Sequence, residues 1–250
     1  MGASNVMVLM PAYNAGPTVE RVFSRIPSVA RARIGGYVVV DDGSTDDTRE
    51  ALGRVMRDFP TLVALEHGEN RGYGAAMKTL LGYAREHCAG AAIVLHADGQ
   101  YSPERIPALL APIEAGEADV VQGSRMLGGG ALAGGMPLYK YAANRILTNI
   151  ENRAFGLKLA EYHSGYMLYS RLALERIAFE RLSDTFVFDL EMIVAARVLD
   201  LRVRELPIPT IYADEVSHLR PVRYGLEVLS VVRRYRRGRY HALLGVGGRP

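Results

Sequence analysis

The chain alternates short apolar runs with longer segments in which apolar residues recur every three or four positions. The runs are rich in valine, isoleucine and leucine, which is typical of strands buried on both faces of a sheet. The strands predicted in this way cover residues 6–10, 37–40, 62–65, 91–95, 119–121 and 166–169. A further extended segment, residues 203–211, contains Pro207 and Pro209, which restrict it to a sheet edge.

Amphipathic helical segments separate these strands. Pro17 and Pro103 each open a helix, because proline is favoured in the first helical turn. The other predicted helices cover residues 51–59, 73–86, 137–155, 188–199 and 223–237. Strands buried on both faces that alternate with such helices predict an α/β protein with a doubly wound, mostly parallel sheet flanked by helices.

In sheets of this kind, ligands bind beyond the carboxyl ends of the strands. The segments that follow the first four strands are all polar or rich in glycine, and they cover residues 11–14, 41–44, 69–74 and 96–100. We therefore expect the functional site where these segments meet. A glycine-rich stretch, residues 128–135, is expected either to form a mobile loop over this site or to link two subdomains.

The sharpest chemical signal lies at the end of the fourth predicted strand. There a run of apolar residues ends in the carboxylate of Asp98, and the amide of Gln100 follows two positions later. On an extended backbone, side chains at positions i and i+2 point the same way. Both could then bind one hard cation, Mg²⁺ or Mn²⁺, with phosphate oxygens completing its coordination. A lone aspartate at a strand end is also a common turn or helix cap, so this prediction depends on the neighbouring segments.

A second acidic segment, Asp41-Asp42-Gly43-Ser44, follows the second predicted strand. A carboxylate at this place can accept hydrogen bonds from a nucleotide base or from ribose hydroxyls. We assign Asp42 to the ligand, and Asp46, Asp47 and Thr48 to the start of the following helix.

Together these motifs resemble glycosyltransferase family 2, inverting enzymes with the GT-A fold. The resemblance rests on the motifs Pro-Ala-Tyr-Asn (11–14), Val-Asp-Asp-Gly-Ser-Thr-Asp (40–46) and Asn-Arg-Gly-Tyr-Gly-Ala-Ala (70–76), and on Asp98, whose strand end is similar to a metal-binding DXD element. It continues through Gly123-Ser124-Arg125 and Ser164-Gly165-Tyr166, and covers roughly residues 6–222. It implies a site that binds a nucleotide-sugar donor, a UDP- or GDP-sugar, through the following residues: Pro11, Ala12, Tyr13, Asn14, Val40, Asp42, Gly72, Gly74, Ala97 and Asp98.

Within the family, the pattern is most similar to the dolichol-phosphate mannosyltransferase-like branch. In that branch the strand-four motif is Asp-Ala-Asp-x-Gln, and here His96 replaces the first aspartate while Asp98 and Gln100 match. The resemblance implies that Arg125 binds a phosphate, since a guanidinium can donate two hydrogen bonds to it. It also implies acceptor or phosphate binding by His218 and Arg220, although this late loop matches only loosely.

The proposed class of reaction is displacement at the anomeric carbon, with the nucleoside diphosphate as leaving group. A polyprenyl phosphate acceptor is already an anionic nucleophile and needs no general base. A hydroxyl acceptor needs a carboxylate to take its proton, and Asp189 and Glu191 are the candidates. These two carboxylates point in different directions on a helix, so at most one of them can serve as the base. Pairing along the helix is the alternative role for both.

Charge is distributed unevenly along the chain. From Leu219 onward, eight arginines stand against one glutamate, a local charge of +7, whereas the remainder carries 22 basic and 26 acidic residues, or −4. We therefore divide the chain into a GT-A domain, residues 1–222, and a basic amphipathic helix and tail, residues 223–250. The tail predicts either peripheral contact with an anionic membrane surface or a solubilising end whose apolar face packs on the body.

The sequence also limits where the protein is expected in the cell and which partners it is expected to bind. It contains no secretory signal pattern and no apolar run long enough to span a membrane, which predicts a cytoplasmic protein, peripheral at most on the inner face of a membrane. The arginines lack the interleaved aromatics of an RNA-binding motif, so no nucleic-acid partner is expected. Two other classes remain as alternatives. A nucleotidyltransferase would carry a basic, glycine-rich loop after the first strand, and a non-catalytic sugar-nucleotide binder would have no need of a metal pair.

Overall fold

The computed structural model of the protein describes residues 6–87, 90–209 and 221–247. Seven strands form one sheet: β1 (Val6–Ala12), β2 (Ile34–Asp41), β3 (Leu62–Glu66), β4 (Ala91–Val94), β5 (Val120–Ser124), β6 (Met167–Ser170) and β7 (Val203–Pro207). Their order is β3-β2-β1-β4-β6-β5-β7, and β6 runs antiparallel to both of its neighbours while the other pairs are parallel. The prediction of a mostly parallel sheet is therefore confirmed, and the proline-containing strand β7 lies at its edge as expected.

Helices cover both faces of this sheet. They are α1 (Gly16–Ser24), α2 (Ser28–Arg31), α3 (Thr48–Asp58), α4 (Tyr73–His87), α5 (Ile106–Glu114), α6 (Gly130–Ala133), α7 (Leu138–Phe155), α8 (Arg171–Arg176), α9 (Phe188–Val198), α10 (Pro221–Arg236) and α11 (Arg239–Leu243). Short 3₁₀ turns lie at Pro103–Arg105, Leu127–Gly129 and Phe179–Arg181. The glycine-rich stretch is thus not an irregular loop, because it forms the second of these turns and α6.

The alternation of side chains along β1 explains why this strand is apolar throughout. Met7 and Leu9 point into a core that contains residues of α4, α9, α10 and α11. Val6, Val8 and Met10 point into a second core on the opposite face, with residues of α1, α3 and α5. A strand between two cores has no solvent-facing side, which removes the polar alternation of a half-exposed strand.

The basic C-terminal segment is integrated into the fold. Val228, Val231, Val232 and Tyr235 of α10 belong to the first core. One face of this helix therefore packs on the body, whereas Val222, Leu226 and Leu229 remain exposed. Within the described residues, no helix combines the length and the hydrophobicity that a membrane span requires.

Candidate active site

Two loops at the carboxyl ends of β1 and β2 are joined by hydrogen bonds. The Asn14 amide donates to Ser44 Oγ at 2.8 Å, and the Thr45 amide donates to Asn14 Oδ1 at 2.9 Å. The Asp42 amide donates to the Ala12 carbonyl at 2.8 Å. Pro11, Ala12 and Val40 thus end the two strands at the base of this loop pair, and Tyr13 lies at its surface with 40% of its area exposed.

The carboxylate of Asp42 is buried and holds the loop before α4. It accepts the backbone amides of Arg71 at 3.0 Å and Gly72 at 2.9 Å, and His67 Nδ1 lies 2.6 Å from its Oδ1. His67 Nε2 in turn lies 3.0 Å from Thr79 Oγ1 on α4. The structure therefore assigns Asp42 a supporting role for the loop of residues 67–72, which the sequence did not indicate. Asp46 lies where expected, because its Oδ1 accepts the Thr48 amide at 3.0 Å at the start of α3.

Glycine is required where α4 begins. The Gly74 amide donates to the Asp184 carbonyl at 2.9 Å, and a Cβ at Gly74 would lie 2.4 Å from the Ser183 carbonyl oxygen. Only glycine permits this close approach of the two chain segments. Gly72, with a φ of +97°, lies at the same contact, opposite the Asp184 carbonyl. These two positions therefore join the loop before α4 to the segment that leads into α9.

The backbone around Asp98 differs from the sequence prediction. β4 ends at Val94, and Asp98 lies in a turn in which Gly99 has a φ of +77°. Asp98 Oδ1 accepts the amide of Gln100 at 3.0 Å. The expectation of an extended backbone from Asp98 to Gln100 is therefore wrong. An aspartate followed by glycine is itself a turn signal, because the side chain caps a nearby amide and glycine adopts positive φ.

The donor atoms near Asp98 are those that a small divalent cation prefers, but they are few. Among the described residues, no three His, Cys, Asp or Glu side chains are grouped so that they could hold a metal ion. Asp98 Oδ1 accepts the Gln100 amide, and the oxygens of the right kind for such a cation are Asp98 Oδ2 and the side-chain carbonyl of Gln100. Mg²⁺ and Mn²⁺ accept such a partial set when waters and substrate phosphates complete the coordination. The residues therefore fit a cation that binds together with a diphosphate.

A polar cluster connects this turn to α4 and α9. Tyr73 Oη donates to Asp189 Oδ2 at 2.7 Å and lies 3.2 Å from His96 Nε2. Burial raises the pKa of Asp189 to about 7, and the hydrogen bond from Tyr73 opposes this rise. Asp189 Oδ1 is buried and has no hydrogen-bond partner among the described residues. Of the two carboxylates that could act as a base, Asp189 therefore has the more suitable position.

His96 lies between the Asp98 turn and the segment that holds Arg125. A Cβ at Gly165 would lie 2.6 Å from His96 Nε2, and two residues before Gly165 the His163 carbonyl accepts from Arg125. Burial lowers the pKa of His96, the Asp98 carboxylate opposes this shift, and the Arg125 guanidinium reinforces it. Three of the predicted chemical groups are thus brought together at the carboxyl ends of β4 and β5.

Arg125 is held by a buried carboxylate. Its guanidinium forms a two-pronged ion pair with Glu161, whose side chain is fully buried, and Nη2 donates to the His163 carbonyl at 2.7 Å. The Arg125 amide also donates to Glu161 Oε2 at 2.8 Å. The prediction of a fixed guanidinium agrees with this geometry, but its partner in the structure is a carboxylate. The pairing with Glu161 was not predicted, since 36 residues separate the two and neither carries a local signal.

The other predicted residues lie elsewhere. Glu191 is fully buried and accepts from Tyr240 Oη at 2.6 Å, Arg234 Nη2 at 2.8 Å and the Ser183 amide at 2.7 Å. Tyr240 and Arg234 lie on the C-terminal helices α11 and α10, and Ser183 lies in the segment before α9, so Glu191 supports the packing of α9 and is not brought to the cluster around His96. His218 and Arg220 lie outside the described residues.

Similarity to known proteins defines the class of this protein. Residues 7–178 match the family model described as Glycosyl transferase family 2, and the chain belongs to this family of glycosyltransferases. The chain is 33% identical over 215 residues to the low-salt glycan biosynthesis hexosyltransferase Agl6 of Haloferax volcanii, a match that covers 82% of this chain and 48% of that protein. It is 30% identical over 172 residues to the dolichol-phosphate mannosyltransferase of Pyrococcus furiosus. This match covers 69% of this chain and 42% of that protein. The matches thus span about half the length of these relatives, and they support the predicted branch.

A solved structure supports the fold. The crystal structure of glucosyl-3-phosphoglycerate synthase from Mycobacterium tuberculosis, in complex with Mn²⁺, UDP and glucosyl-3-phosphoglycerate, superposes with a TM-score of 0.63. The alignment covers 98% of this chain and 81% of that one at 17% identity. The predicted GT-A fold is therefore confirmed.

Proposed function

We propose that this glycosyltransferase is an inverting, metal-dependent enzyme that moves a sugar from a UDP- or GDP-sugar to a polyprenyl phosphate. The observation that carries the proposal is the convergence of the Asp98 turn and the segment that holds Arg125, which meet where Gly165 lies against His96, near the joined loops that follow β1 and β2. The dolichol-phosphate mannosyltransferase relative supports the acceptor class. The Mn²⁺ and UDP bound to the structural relative support the donor class and the cation.

The nucleotide is assigned to the joined loops. Pro11, Ala12 and Asn14 would face it with backbone and amide groups, and the exposed ring of Tyr13 is suited to stack on a base. Asp42 would contribute by fixing the amides of Arg71 and Gly72. The remaining backbone contacts are assigned to the neighbouring positions Val40, Gly72, Gly74 and Ala97.

The leaving group is assigned to the Asp98 turn. Asp98 and Gln100 would hold Mg²⁺ or Mn²⁺ against the diphosphate, and the ion would supply the positive charge that stabilises the leaving nucleoside diphosphate. Attack from the opposite face of the sugar inverts the anomeric centre.

Arg125 is assigned to the acceptor phosphate. Its guanidinium is fixed by Glu161 and the His163 carbonyl, so little side-chain freedom is lost when it binds an anion. A phosphate acceptor is already an anion and needs no proton transfer. The alternative acceptor, a saccharide or small-molecule hydroxyl, would need Asp189 as the base, and its pKa of about 7 and unpartnered Oδ1 suit that role.

The pH dependence of two variants separates these acceptors. With a hydroxyl acceptor, Asp189→Asn should reduce kcat by a factor on the order of 10²–10⁴, since the base is lost. Tyr73→Phe should move the acid limb of the pH profile to higher pH, because the hydrogen bond that lowers the Asp189 pKa is removed and the carboxylate forms later. With a polyprenyl phosphate acceptor, we expect Asp189→Asn to cost little and the rate ratio of Tyr73→Phe to wild type to stay flat from pH 5 to 9.

Initial rates measured from pH 5 to 9 with a hydroxyl acceptor and with a polyprenyl phosphate decide between the two acceptor classes. Glu191→Gln is not a neutral control, because Glu191 supports the packing of α9. Tyr83→Phe, in the same helix but away from the cluster, is the matched control for loss of a hydroxyl. A rate that falls by 10² or more in Asp189→Asn with a lipid phosphate as acceptor would contradict the favoured acceptor.

A further inference from the structure

Exposed apolar side chains are concentrated on two neighbouring helices. On α7 they are Leu138, Tyr139 and Ile146, with exposed fractions of 76%, 69% and 61%, and on α10 they are Val222, Leu226 and Leu229, with 80%, 64% and 42%. The two helices pack against each other. Positions 222, 226 and 229 form one stripe along α10, since three or four residues separate them. We call these six residues together the α7–α10 face.

A cleft joins the two helices on this side. It has a volume of about 330 Å³ and is lined by Ile150 of α7, Leu229 and Val232 of α10, and Arg233, Arg236 and Arg237. Three of these six side chains are apolar and three are arginines. The cleft therefore brings Leu229 of the α7–α10 face together with Ile150 of α7 and with three guanidinium groups.

The exposed charges on these helices are almost all positive. α7 carries Lys140, Arg145 and Arg153, all exposed, against one carboxylate, Glu151, which is fully buried. On α10 and α11 the only carboxylate is Glu227, which pairs with Arg223 at 3.0 Å, whereas Arg233 and Arg236 are exposed. Anionic partners are attracted to such a surface and cationic partners are repelled.

We propose that the α7–α10 face docks on an anionic lipid bilayer, with its aliphatic side chains in the boundary between headgroups and acyl chains and its arginines on lipid phosphates. This inference rests on the proposed function, in which the acceptor is a lipid. A second copy of the chain would bring arginines against arginines. A nucleic acid would use the arginines but would leave the leucine and isoleucine side chains in water. A bilayer surface accommodates both groups at once, and Tyr139 suits its interface.

The two helices also contact the residues that hold Arg125. Tyr224 of α10 lies 3.0 Å from His163 Nδ1, and the His163 carbonyl accepts from Arg125. Asn144 of α7 donates to Glu161 at 3.4 Å, and Glu161 pairs with Arg125. At about 100° per residue, Tyr224 and Asn144 lie on the sides of α10 and α7 opposite Leu226 and Ile146, so the α7–α10 face and the residues that hold Arg125 contact the same two helices from opposite sides.

Vesicle flotation with the full chain tests the proposal. The probes are phosphatidylcholine vesicles with and without phosphatidylglycerol, in the absence of polyprenyl phosphate and of nucleotide sugar. The chain should bind only the anionic vesicles, with an affinity that falls steeply as salt is added. Arg233→Gln/Arg236→Gln/Arg237→Gln should weaken binding on the order of 10²-fold. Ile146→Asn/Leu226→Asn should weaken it about tenfold or more, because inserted hydrocarbon is lost.

The matched control is Val29→Asn/Met56→Asn, which changes two exposed apolar residues on α2 and α3 and should bind as wild type does. Binding that is equal for the control and for Ile146→Asn/Leu226→Asn would overturn the proposal, because adsorption through charge alone would explain it. Absence of binding at low salt would overturn it as well. So would a dimer, seen by analytical ultracentrifugation, that dissociates in Ile146→Asn/Leu226→Asn. Since no substrate is present, failure here leaves the proposed reaction untouched, and a failed transfer assay with normal vesicle binding counts only against the reaction.

Discussion

Replacing Asp98 by alanine is expected to reduce glycosyl transfer by a factor on the order of 10³ or more, because the carboxylate that holds the cation against the leaving diphosphate is lost. Gln100→Ala should be milder, about tenfold, since a neutral amide contributes less to cation binding than a carboxylate does. The fold should be retained in both variants. Asp98 lies in a turn at the surface of the sheet and accepts one backbone hydrogen bond, from Gln100, which contributes about 1 kcal/mol.

Two measurements check this prediction. Initial rates with Mn²⁺ and with excess chelator give the catalytic effect, and calorimetric titration of a nucleotide sugar with and without Mn²⁺ gives the metal-dependent part of donor binding. Asp58→Ala, which removes an exposed carboxylate at the end of α3, is the matched control and should leave both unchanged. A rate equal to that of the wild type for Asp98→Ala in excess chelator would contradict the metal mechanism.

The second large effect concerns Arg125. Arg125→Ala alone is expected to destabilise the fold by about 3–5 kcal/mol, because it leaves the carboxylate of Glu161 fully buried without its partner. The double variant Arg125→Met/Glu161→Gln removes both charges, keeps similar side-chain volumes and should recover most of the stability. If Arg125 binds the acceptor phosphate, the double variant should still lose kcat/KM for a polyprenyl phosphate by a factor on the order of 10², since a charge-assisted hydrogen bond to the phosphate is absent.

Denaturant titration and acceptor kinetics together distinguish the two roles of Arg125. Donor affinity serves as the internal control and should remain that of the wild type in the double variant, because the nucleotide is assigned to the loops after β1 and β2. A double variant that is stable and retains the wild-type kcat/KM would show that Arg125 serves the fold alone. Small, equal effects from Arg125→Met/Glu161→Gln and Asp189→Asn with every acceptor would mean that the acceptor site lies elsewhere.

The architecture was predictable from the sequence because the central strands are buried on both faces. The two-sided packing of Met7 and Leu9 against Val6, Val8 and Met10 produces a continuous apolar run, which is a local signal. The reversal of β6 has no such signal. Its residues fit a parallel or an antiparallel neighbour equally well, and its direction follows from the path of the chain after α7, so the sequence indicated the strand and not its orientation.

The sequence predicted the loops that form the site, but not the side-chain contacts between them. Asp42 and His67 are 25 residues apart, and Tyr73 and Asp189 are 116 apart, so no local pattern indicates either contact. The geometry at Asp98 is a different case. The Asp-Gly dipeptide did carry a turn signal, but the apolar run before it suggested that the strand continued. At the C-terminus, the amphipathic pattern of α10 was correct, and only tertiary contacts show that one of its faces joins the core.

The most direct test of the central claim is the identity of the product. The purified chain is incubated with Mn²⁺, a polyprenyl phosphate and, in turn, UDP- and GDP-linked hexoses, and the lipid fraction is analysed by mass spectrometry and NMR. The account predicts a hexosyl phosphoryl polyprenol of inverted anomeric configuration, formed with one donor class, dependent on the metal and released together with the nucleoside diphosphate. A product of retained configuration, a product that carries the nucleotide itself, or transfer only to hydroxyl acceptors would contradict it.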